Sequence, residues 1–188
     1  VHGYAAVQVI KKDNDNLLIG SVAPDIAKYI GENKVKSHFL DDEKIDIPNI
    51  EKFLSKYQNK LSDDFVLGYF IHLYTDYLWF KYFLPDIYDE SKNLITKLDG
   101  SIIKCHGNML LQYIYNDYTN INTDLIDKYM LSLDIFFNEY DLPESKITEI
   151  PVNKLQILIN KMSEIIEDSK EEKTFLFDTK DIEIFITN

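Results

Sequence analysis

The sequence predicts an all-α protein, a compact bundle of several helices in one domain that spans residues 1–188. Only six glycines and five prolines occur, too few for the many tight turns of a β-sandwich. Apolar residues recur with helical spacing, most clearly from Lys154 to Ile166. The length is ordinary for one domain, and no stretch rich in Pro, Gly or Ser divides the chain.

Short helices joined by polar turns are expected before the middle of the chain. Pro24 suits the first turn of a helix, where its missing N–H is not needed. The expected elements are a helix at 4–12, a polar turn at 13–16, an apolar run at 17–19, a helix that resumes after Pro24 and runs through Tyr29, an irregular stretch at 31–47 and a helix at 50–60.

A central, buried helix is the clearest element in the sequence. Ser62-Asp63-Asp64 provides an N-cap with acidic residues in the first turn. The helix is expected to run through Phe80 and to stop before Pro85. It is apolar almost all round, which is typical of a helix enclosed by other elements.

Later helices are expected at about 86–98, 108–117, 121–139 and 151–169. The tail from 174 to 187 has two interpretations. Asp181-Ile-Glu-Ile-Phe-Ile alternates like a strand, but the same residues suit a final helix that begins after Asp178.

Charge and composition exclude several classes of protein. The net charge of −12 repels nucleic acids and anionic lipids, so we expect no nucleic-acid partner. A metal site is the physically sensible way for so acidic a chain to hold phosphate. The single cysteine, Cys105, excludes an internal disulfide and a thiolate zinc finger.

No segment predicts stable membrane insertion. The longest apolar stretch, 65–84, is interrupted by His72, Asp76 and Lys81, and no basic amphipathic helix is present. No signal-peptide pattern is visible, which predicts a cytoplasmic location. Because the sequence begins with Val1 rather than Met, an upstream segment and secretion stay open as alternatives.

The sharpest local pattern is His72 with Asp76. At a spacing of four residues they share one helix face, and Gly68 lies one turn earlier on that face. Burying a lone carboxylate costs several kcal/mol, a cost that a divalent cation bound by both groups would offset. The alternative is a His–Asp hydrogen bond within a core, and for this pair alone that alternative is favoured.

Three further residues join this pattern. Asp25 follows Pro24 near a helix start, His38 is flanked by apolar residues that would draw it inward, and His2 precedes a short helix. Each has an ordinary interpretation on its own, as a cap, a surface residue and a terminal residue.

Taken in order, these segments resemble the zinc-dependent phospholipase C family, an all-helical fold related to the S1/P1 nucleases. The resemblance covers roughly the first 85 residues. The segments that carry it are Val1-His2, Gly20-Ser-Val-Ala-Pro24-Asp25, Ser37-His38-Phe39 and Leu67-Gly68-Tyr-Phe-Ile-His72-Leu-Tyr-Thr-Asp76.

The resemblance implies a metal-dependent hydrolase of phosphoester bonds. Asp25, His38, His72 and Asp76 would surround one zinc ion, and Asp76 would bridge to a second ion that also takes His2. A water activated by the metal would be the nucleophile, with Asp25 as general base. The implied partner is a small phosphoester or a lipid headgroup.

The chain departs from the family pattern after Asp76. No histidine follows shortly, and Leu110 stands four residues after His106, where the family has Glu. A third metal site is therefore not expected, which leaves a site for two zinc ions, with a one-metal site as the alternative, and other divalent metals also suit these ligands. Asp117 is a candidate additional ligand, or else the cap of a helix that begins at 120–123.

Two other functions compete with hydrolysis. A non-catalytic helical binding protein could hold a structural metal, and an open coordination position would distinguish the two because structural zinc sites are closed. A helical phosphohydrolase of the HD type needs an adjacent His-Asp pair. None of the four histidines is followed by Asp, which disfavours this class.

Overall fold

The structure is a computed structural model that describes residues 2, 5, 14–130, 133–138, 141, 142, 144, 146–167 and 173–187. These residues fall into two compact units, which we describe separately. The N-terminal unit comprises the described residues of 2–78 and 132–163, and the C-terminal unit those of 79–131 and 164–188. The single domain expected for residues 1–188 stays a prediction.

Helices make up most of the described chain, so the prediction of a mostly helical protein is confirmed. None of the described helices is both long and apolar enough to cross a membrane. The elements are α1 Asp15–Val22, a 3-10 turn Ala23–Asp25, α2 Ile26–Tyr29, α3 Lys34–Ser37, α4 Ile50–Tyr57, a 3-10 turn Gln58–Lys60, α5 Asp64–Leu78, a π-helical turn Trp79–Phe83, α6 Leu84–Ile87, β1 Tyr88–Asp89, β2 Leu94–Thr96, β3 Ile102–Lys104, α7 Gly107–Tyr129, 3-10 turns Asp134–Phe136 and Val152–Lys154, α8 Leu155–Glu167 and α9 Thr179–Thr187.

Helix starts follow the capping residues in the sequence. The Asn14 side chain accepts a hydrogen bond from the N–H of Leu17 at 3.3 Å and begins α1. Asp63 accepts from the N–H groups of Phe65 at 3.1 Å and Val66 at 3.2 Å, which confirms the predicted start of the central helix α5. The helix expected at 4–12 lies outside the described residues except for Ala5, which is helical.

The central α-helix stops before Pro85, as predicted, although it ends two residues short of Phe80. The α-helix ends at Leu78, a π-helical turn follows, and Pro85 lies in the first turn of α6, where its missing N–H is not needed. The helix expected at 86–98 is wrong. Residues 86 and 87 end α6, and the strands β1 and β2 follow and pair antiparallel, with β3 antiparallel to β2 on its other side.

One helix replaces two that the sequence predicted. Residues 108–117 and 121–129 belong to the continuous helix α7, so Asp117 does not cap a new helix at 120–123. The predicted extension of the second helix to 139 is wrong, because α7 ends at Tyr129 and the described residues 133–138 contain only the 3-10 turn Asp134–Phe136. The predicted helix at 151–169 is confirmed by the 3-10 turn at 152–154 and by α8, although 168 and 169 lie outside the described residues. Of the two interpretations of the tail, the helix is correct.

Helices α1 and α5 pack so closely that their backbones touch. A Cβ atom built on Gly68 would lie 2.1 Å from the carbonyl oxygen of Leu17, and one built on Gly20 would lie 2.2 Å from that of Phe65. Both neighbours are backbone atoms, which cannot rotate away. Gly68 lies one turn before His72 on the same helix face, and α1 is the segment that approaches it there.

Aromatic rings form the core beside this contact. Phe39, Phe53, Tyr57 and Tyr69 are all buried, and their rings meet edge-on, tilted or stacked at centroid distances of 5.2 to 6.4 Å. Aromatic pairs at such distances add roughly 0.5–1.5 kcal/mol to the effect of area burial. This cluster joins the loop around residue 39 to α4 and α5.

A polar cluster anchors the segment 146–149 to α4. Glu149 accepts hydrogen bonds from Lys56 and from the Tyr57 hydroxyl, the latter at 2.6 Å, and the backbone N–H of Thr148 donates to Tyr57 at 3.0 Å. Burial acts to raise the pKa of Glu149, but the hydrogen bonds from Lys56 and Tyr57 outweigh it and lower that pKa. The ionised carboxylate is therefore the form that the fold stabilises.

The C-terminal unit is organised around Asp117, which is fully buried in α7. Its carboxylate accepts hydrogen bonds from the backbone N–H groups of Phe175 at 2.9 Å, Leu176 at 2.6 Å and Phe177 at 3.2 Å. The ring of Phe177 in turn meets Trp79 edge-on, with centroids 5.2 Å apart. Three amide donors satisfy the hydrogen-bonding capacity of this buried carboxylate, so no cation is needed to stabilise it.

We expect Gly68→Ala to destabilise the protein by about 2 kcal/mol or more, because the added methyl overpacks a contact between two backbones. The same change in an unconstrained helix interior stabilises by about 1 kcal/mol, so the sign of the effect is diagnostic. Urea unfolding would measure it. Ser55→Ala on the exposed face of α4 is the control and should stay within about 0.5 kcal/mol of wild type. A more stable Gly68→Ala variant would contradict the close contact.

Stability should fall in acid because of Glu149. Its pKa is lower in the folded protein than the ordinary value of 4.5, so its contribution is present above pH 4.5 and is lost as the pH falls through the folded-state pKa. Glu149→Gln removes this titration, and its free energy of unfolding should change less with pH over that range. Urea unfolding series at several pH values would test this, and parallel profiles for both proteins would disprove it.

Candidate metal centre

Five residues predicted from the sequence meet in the N-terminal unit. Four segments of the chain bring these residues together: His2, Asp25 and His38 come from one segment each, and α5 supplies both His72 and Asp76. We refer to the five residues as the His–Asp cluster. Two overlapping groups within it have the spacing of metal ligands: His2 with His72 and Asp76, and Asp25 with His38 and His72.

His72 is oriented by the contact between α1 and α5. Its Nδ1 atom donates to the carbonyl oxygen of Ser21 at 2.8 Å, a group in the last turn of α1. Pro24, three residues after Ser21, has no N–H with which to close a 3-10 bond to that carbonyl. Because a carbonyl only accepts, the proton lies on Nδ1, and Nε2 faces the cluster. Histidines that bind a metal through one ring nitrogen commonly donate the N–H of the other to a backbone carbonyl.

His38 is placed by the end of helix α3. The N–H of Leu40 bonds to the carbonyl of Val35 at 2.9 Å, and that of Phe39 to the carbonyl of Lys36 at 3.3 Å, the pattern of a Schellman motif. The motif puts Phe39 in the left-handed region, with φ of 54°. That conformation costs a non-glycine residue about 1–2 kcal/mol, and burial of the Phe39 ring among the core aromatics offsets it. His38 is thereby turned inward.

Asp25 ends the 3-10 turn that follows α1. Its Oδ1 atom lies 3.5 Å from His38 Nε2, while 42% of its side chain stays exposed. Pro24 at the start of this turn is buried and fixes the backbone just before the carboxylate. Asp25 is thus the member of the cluster with the greatest access to solvent.

Asp76 links the two groups of ligands. Its Oδ2 atom lies 3.5 Å from His72 Nε2 and 3.7 Å from His38 Nε2, and its Oδ1 atom lies 3.4 Å from His2 Nε2. The His2 ring stacks on His72 with centroids 4.0 Å apart. In the part of the chain that the structure describes, the buried Nδ1 atom of His2 has no hydrogen-bond partner.

The spacing of these atoms suits tetrahedral coordination. Zinc lies about 2.0–2.2 Å from nitrogen or oxygen ligands, so two ligand atoms on a tetrahedron are about 3.3–3.6 Å apart. The Nε2 atoms of His38 and His72 are 3.3 Å apart, and each lies 3.5–3.7 Å from Asp76 Oδ2. His38 Nε2 also lies 3.5 Å from Asp25 Oδ1. The residues present therefore fit a cation with a preference for nitrogen and oxygen donors.

The electrostatics of the cluster keep both carboxylates ionised. Burial acts to raise the pKa of Asp25 and of Asp76, but hydrogen bonds and charges from the histidines outweigh it and lower both values. His72 shows the reverse. Burial acts to lower its pKa, yet the Asp76 carboxylate outweighs burial and raises it to about 9. Burial, followed by repulsion from His72, lowers the pKa of His2 to about 3.

Two residues considered with the site lie in the C-terminal unit. Asp117 has its carboxylate engaged by three backbone amides, and His106 is exposed just before α7. The role of Asp117 as an additional ligand stays a prediction, and none of its contacts in the described chain supports that role.

Sequence reasoning missed the groups that orient the histidines. They are the Ser21 carbonyl on His72, the Ser37 hydroxyl on His38 at 2.9 Å, and the Tyr69 hydroxyl, which donates to the Ser37 carbonyl. Ser37 precedes His38 directly, and Tyr69 lies one turn before His72 on α5. These positions were the available signal, but a serine or tyrosine beside a histidine is too common to be recognised without the fold.

Comparison of the chain with protein-family models gives no match, and neither the curated proteins nor the solved structures give one. The resemblance to zinc-dependent phospholipases C therefore stays a prediction. The chemistry of the site must be inferred from its own atoms.

Proposed function

We propose that the His–Asp cluster binds divalent cations, with zinc the first candidate, and that the protein hydrolyses phosphoester bonds. One observation carries this proposal. The Nε2 atoms of His38 and His72 lie 3.3 Å apart and 3.5–3.7 Å from Asp76 Oδ2, which is close to the separation of tetrahedral ligands, and Asp25 lies 3.5 Å from His38. Each of the two imidazoles has its Nδ1 atom engaged by a separate partner. This is the donor set and outer contact pattern of zinc enzymes.

Four residues would hold the first cation and two the second. Asp25, His38, His72 and Asp76 Oδ2 offer the first set, and Asp76 Oδ1 with His2 offers the second. With neutral imidazoles the two carboxylates carry the negative charge that a divalent cation neutralises. Mixed nitrogen and oxygen donors also accept manganese, iron or nickel, so zinc is preferred but not the sole candidate.

Bound divalent cations would supply Lewis-acid chemistry, activating a water and neutralising charge on the phosphoester. The chain itself supplies a base. Asp25 is ionised, partly exposed and adjacent to His38, so its carboxylate can accept a proton from a water beside the cluster. Asp76, more enclosed and flanked by His2 and His72, holds the geometry of the ligands.

The substrate class follows from charge. A chain of net charge −12 repels polyanions, so a nucleic acid is a poor substrate. A small phosphodiester or a lipid headgroup carries less charge and meets less repulsion. We therefore propose one of these as the substrate.

A non-catalytic metal-binding protein is the second candidate. Structural zinc sites are closed, whereas catalytic ones keep a position for water. Exposure of 42% of the Asp25 side chain and 26% of the His2 side chain gives solvent access to the cluster, which favours the catalytic alternative.

Metal content is the first test. We expect the wild-type protein to take up about two equivalents of zinc, and Asp76→Asn to bind roughly 100-fold more weakly or not at all, because Asp76 contributes to both ligand sets. Elemental analysis after dialysis and calorimetric titration would measure this. His106→Ala is the control and should bind like wild type. If His106→Ala alone lost the metal, the ligand assignment would be wrong.

Turnover is the second test. With saturating zinc, the protein should hydrolyse bis(p-nitrophenyl) phosphate, and a chelator should abolish the activity. Asp25→Asn should lower kcat by about 100-fold or more, since it removes the proton acceptor. The metal content of this variant must be measured beside its rate. A wild-type protein that binds zinc but turns over no phosphodiester or phosphomonoester would favour the binding-protein alternative.

A further inference from the structure

Two hydrogen bonds fix Ser37 and the His38 ring in position. On one side, the buried hydroxyl of Tyr69 donates to the Ser37 carbonyl. On the other, the Ser37 hydroxyl lies 2.9 Å from His38 Nδ1. Ser37 is itself buried, with 3% exposure, so water does not compete readily for either contact.

The direction of the Ser37–His38 hydrogen bond follows from the other contact of Ser37. Its Oγ atom also lies 3.3 Å from the carbonyl of Lys34, which only accepts. A hydroxyl has one proton to donate. If that proton goes to Lys34, the Oγ atom must accept from His38, and the proton of the neutral ring then lies on Nδ1.

We propose that Ser37 is a positioning residue of the His–Asp cluster. Its hydroxyl accepts from His38 Nδ1–H and so directs the lone pair of Nε2 toward Asp25, His72 and Asp76. The proposal rests on the proposed function insofar as a cation is the group that the lone pair binds. The choice of ring nitrogen, in contrast, is a property of the chain alone.

The two buried histidines of the cluster differ in how they are oriented. His72 bonds to a backbone carbonyl, which no substitution removes, whereas His38 depends on a side chain. A single serine therefore controls the tautomer and the ring orientation of His38, but not those of His72. Loss of such an outer partner typically weakens metal binding by about 10- to 100-fold.

The chain provides a control in Ser55. Its hydroxyl also bonds the carbonyl three residues earlier, that of Lys52 at 2.9 Å. Ser55 lies on the exposed face of α4 and belongs neither to the His–Asp cluster nor to the groups that orient its histidines. Ser55→Ala thus removes the same kind of hydrogen bond without affecting a ring.

The experiment compares wild type, Ser37→Ala and Ser55→Ala in two measurements. Long-range 1H–15N correlation spectra of the metal-free proteins, read in the neutral form of the ring, identify the protonated nitrogen of His38. Chelator competition then gives the zinc affinity. We expect the Nδ1–H form in wild type and Ser55→Ala, a mixture of forms in Ser37→Ala, and a loss of about 10- to 100-fold in zinc affinity in Ser37→Ala only.

The two measurements separate failure of this proposal from failure of the proposed function. A wild-type spectrum with the proton on Nε2 of His38 overturns the role of Ser37, even if Ser37→Ala does not fold. Equal zinc affinities in the three proteins overturn it as well. If none of them binds metal, the proposed function fails, and the spectra still decide whether Ser37 selects the ring nitrogen.

Discussion

The backbone contact between α1 and α5 at Gly20 and Gly68 is the constraint on which the cluster depends. Without a Cβ atom on either residue, the last turn of α1 comes close enough for its Ser21 carbonyl to accept from His72. The chain leaves that turn directly into the 3-10 turn that carries Asp25. One contact therefore sets both the orientation of a histidine and the position of a carboxylate, and a side chain at either glycine would shift the two together.

Charge balance is the second requirement of the cluster. The stacked rings of His2 and His72 have pKa values displaced in opposite directions, because His72 receives the attraction of Asp76 while burial and the charge on His72 act on His2. Without metal, a proton on His72 supplies the positive charge that the two carboxylates require. A divalent cation bound by the Nε2 atoms would take over that role, so proton and metal compete for the same atoms.

A comparison of carboxylates within the chain shows why burial alone does not identify a metal ligand. Asp117 is as buried as any residue of the cluster, yet three backbone amides from 175–177 satisfy its oxygens. Asp76 faces ring nitrogens of three histidines instead. The nature of the donors around a carboxylate, rather than its exposure, separates a group that holds the fold together from one suited to bind a cation.

Local sequence determined the features that depend on neighbouring residues: the capped start of α5, its buried character, and the shared face of His72 and Asp76. It misjudged 86–98, because short strands are stabilised by pairing with β2 and β3 rather than by their own periodicity. It also divided α7 at Asn116-Asp117, since the polar pair suits a turn until 175–177 supplies its partners. The grouping of His2, Asp25 and His38 with α5 was implied by a family resemblance and not by spacing. Only the tertiary structure decided which ring nitrogens face the cluster, because that choice depends on Ser21 and Ser37, which the packing of separate helices brings into place.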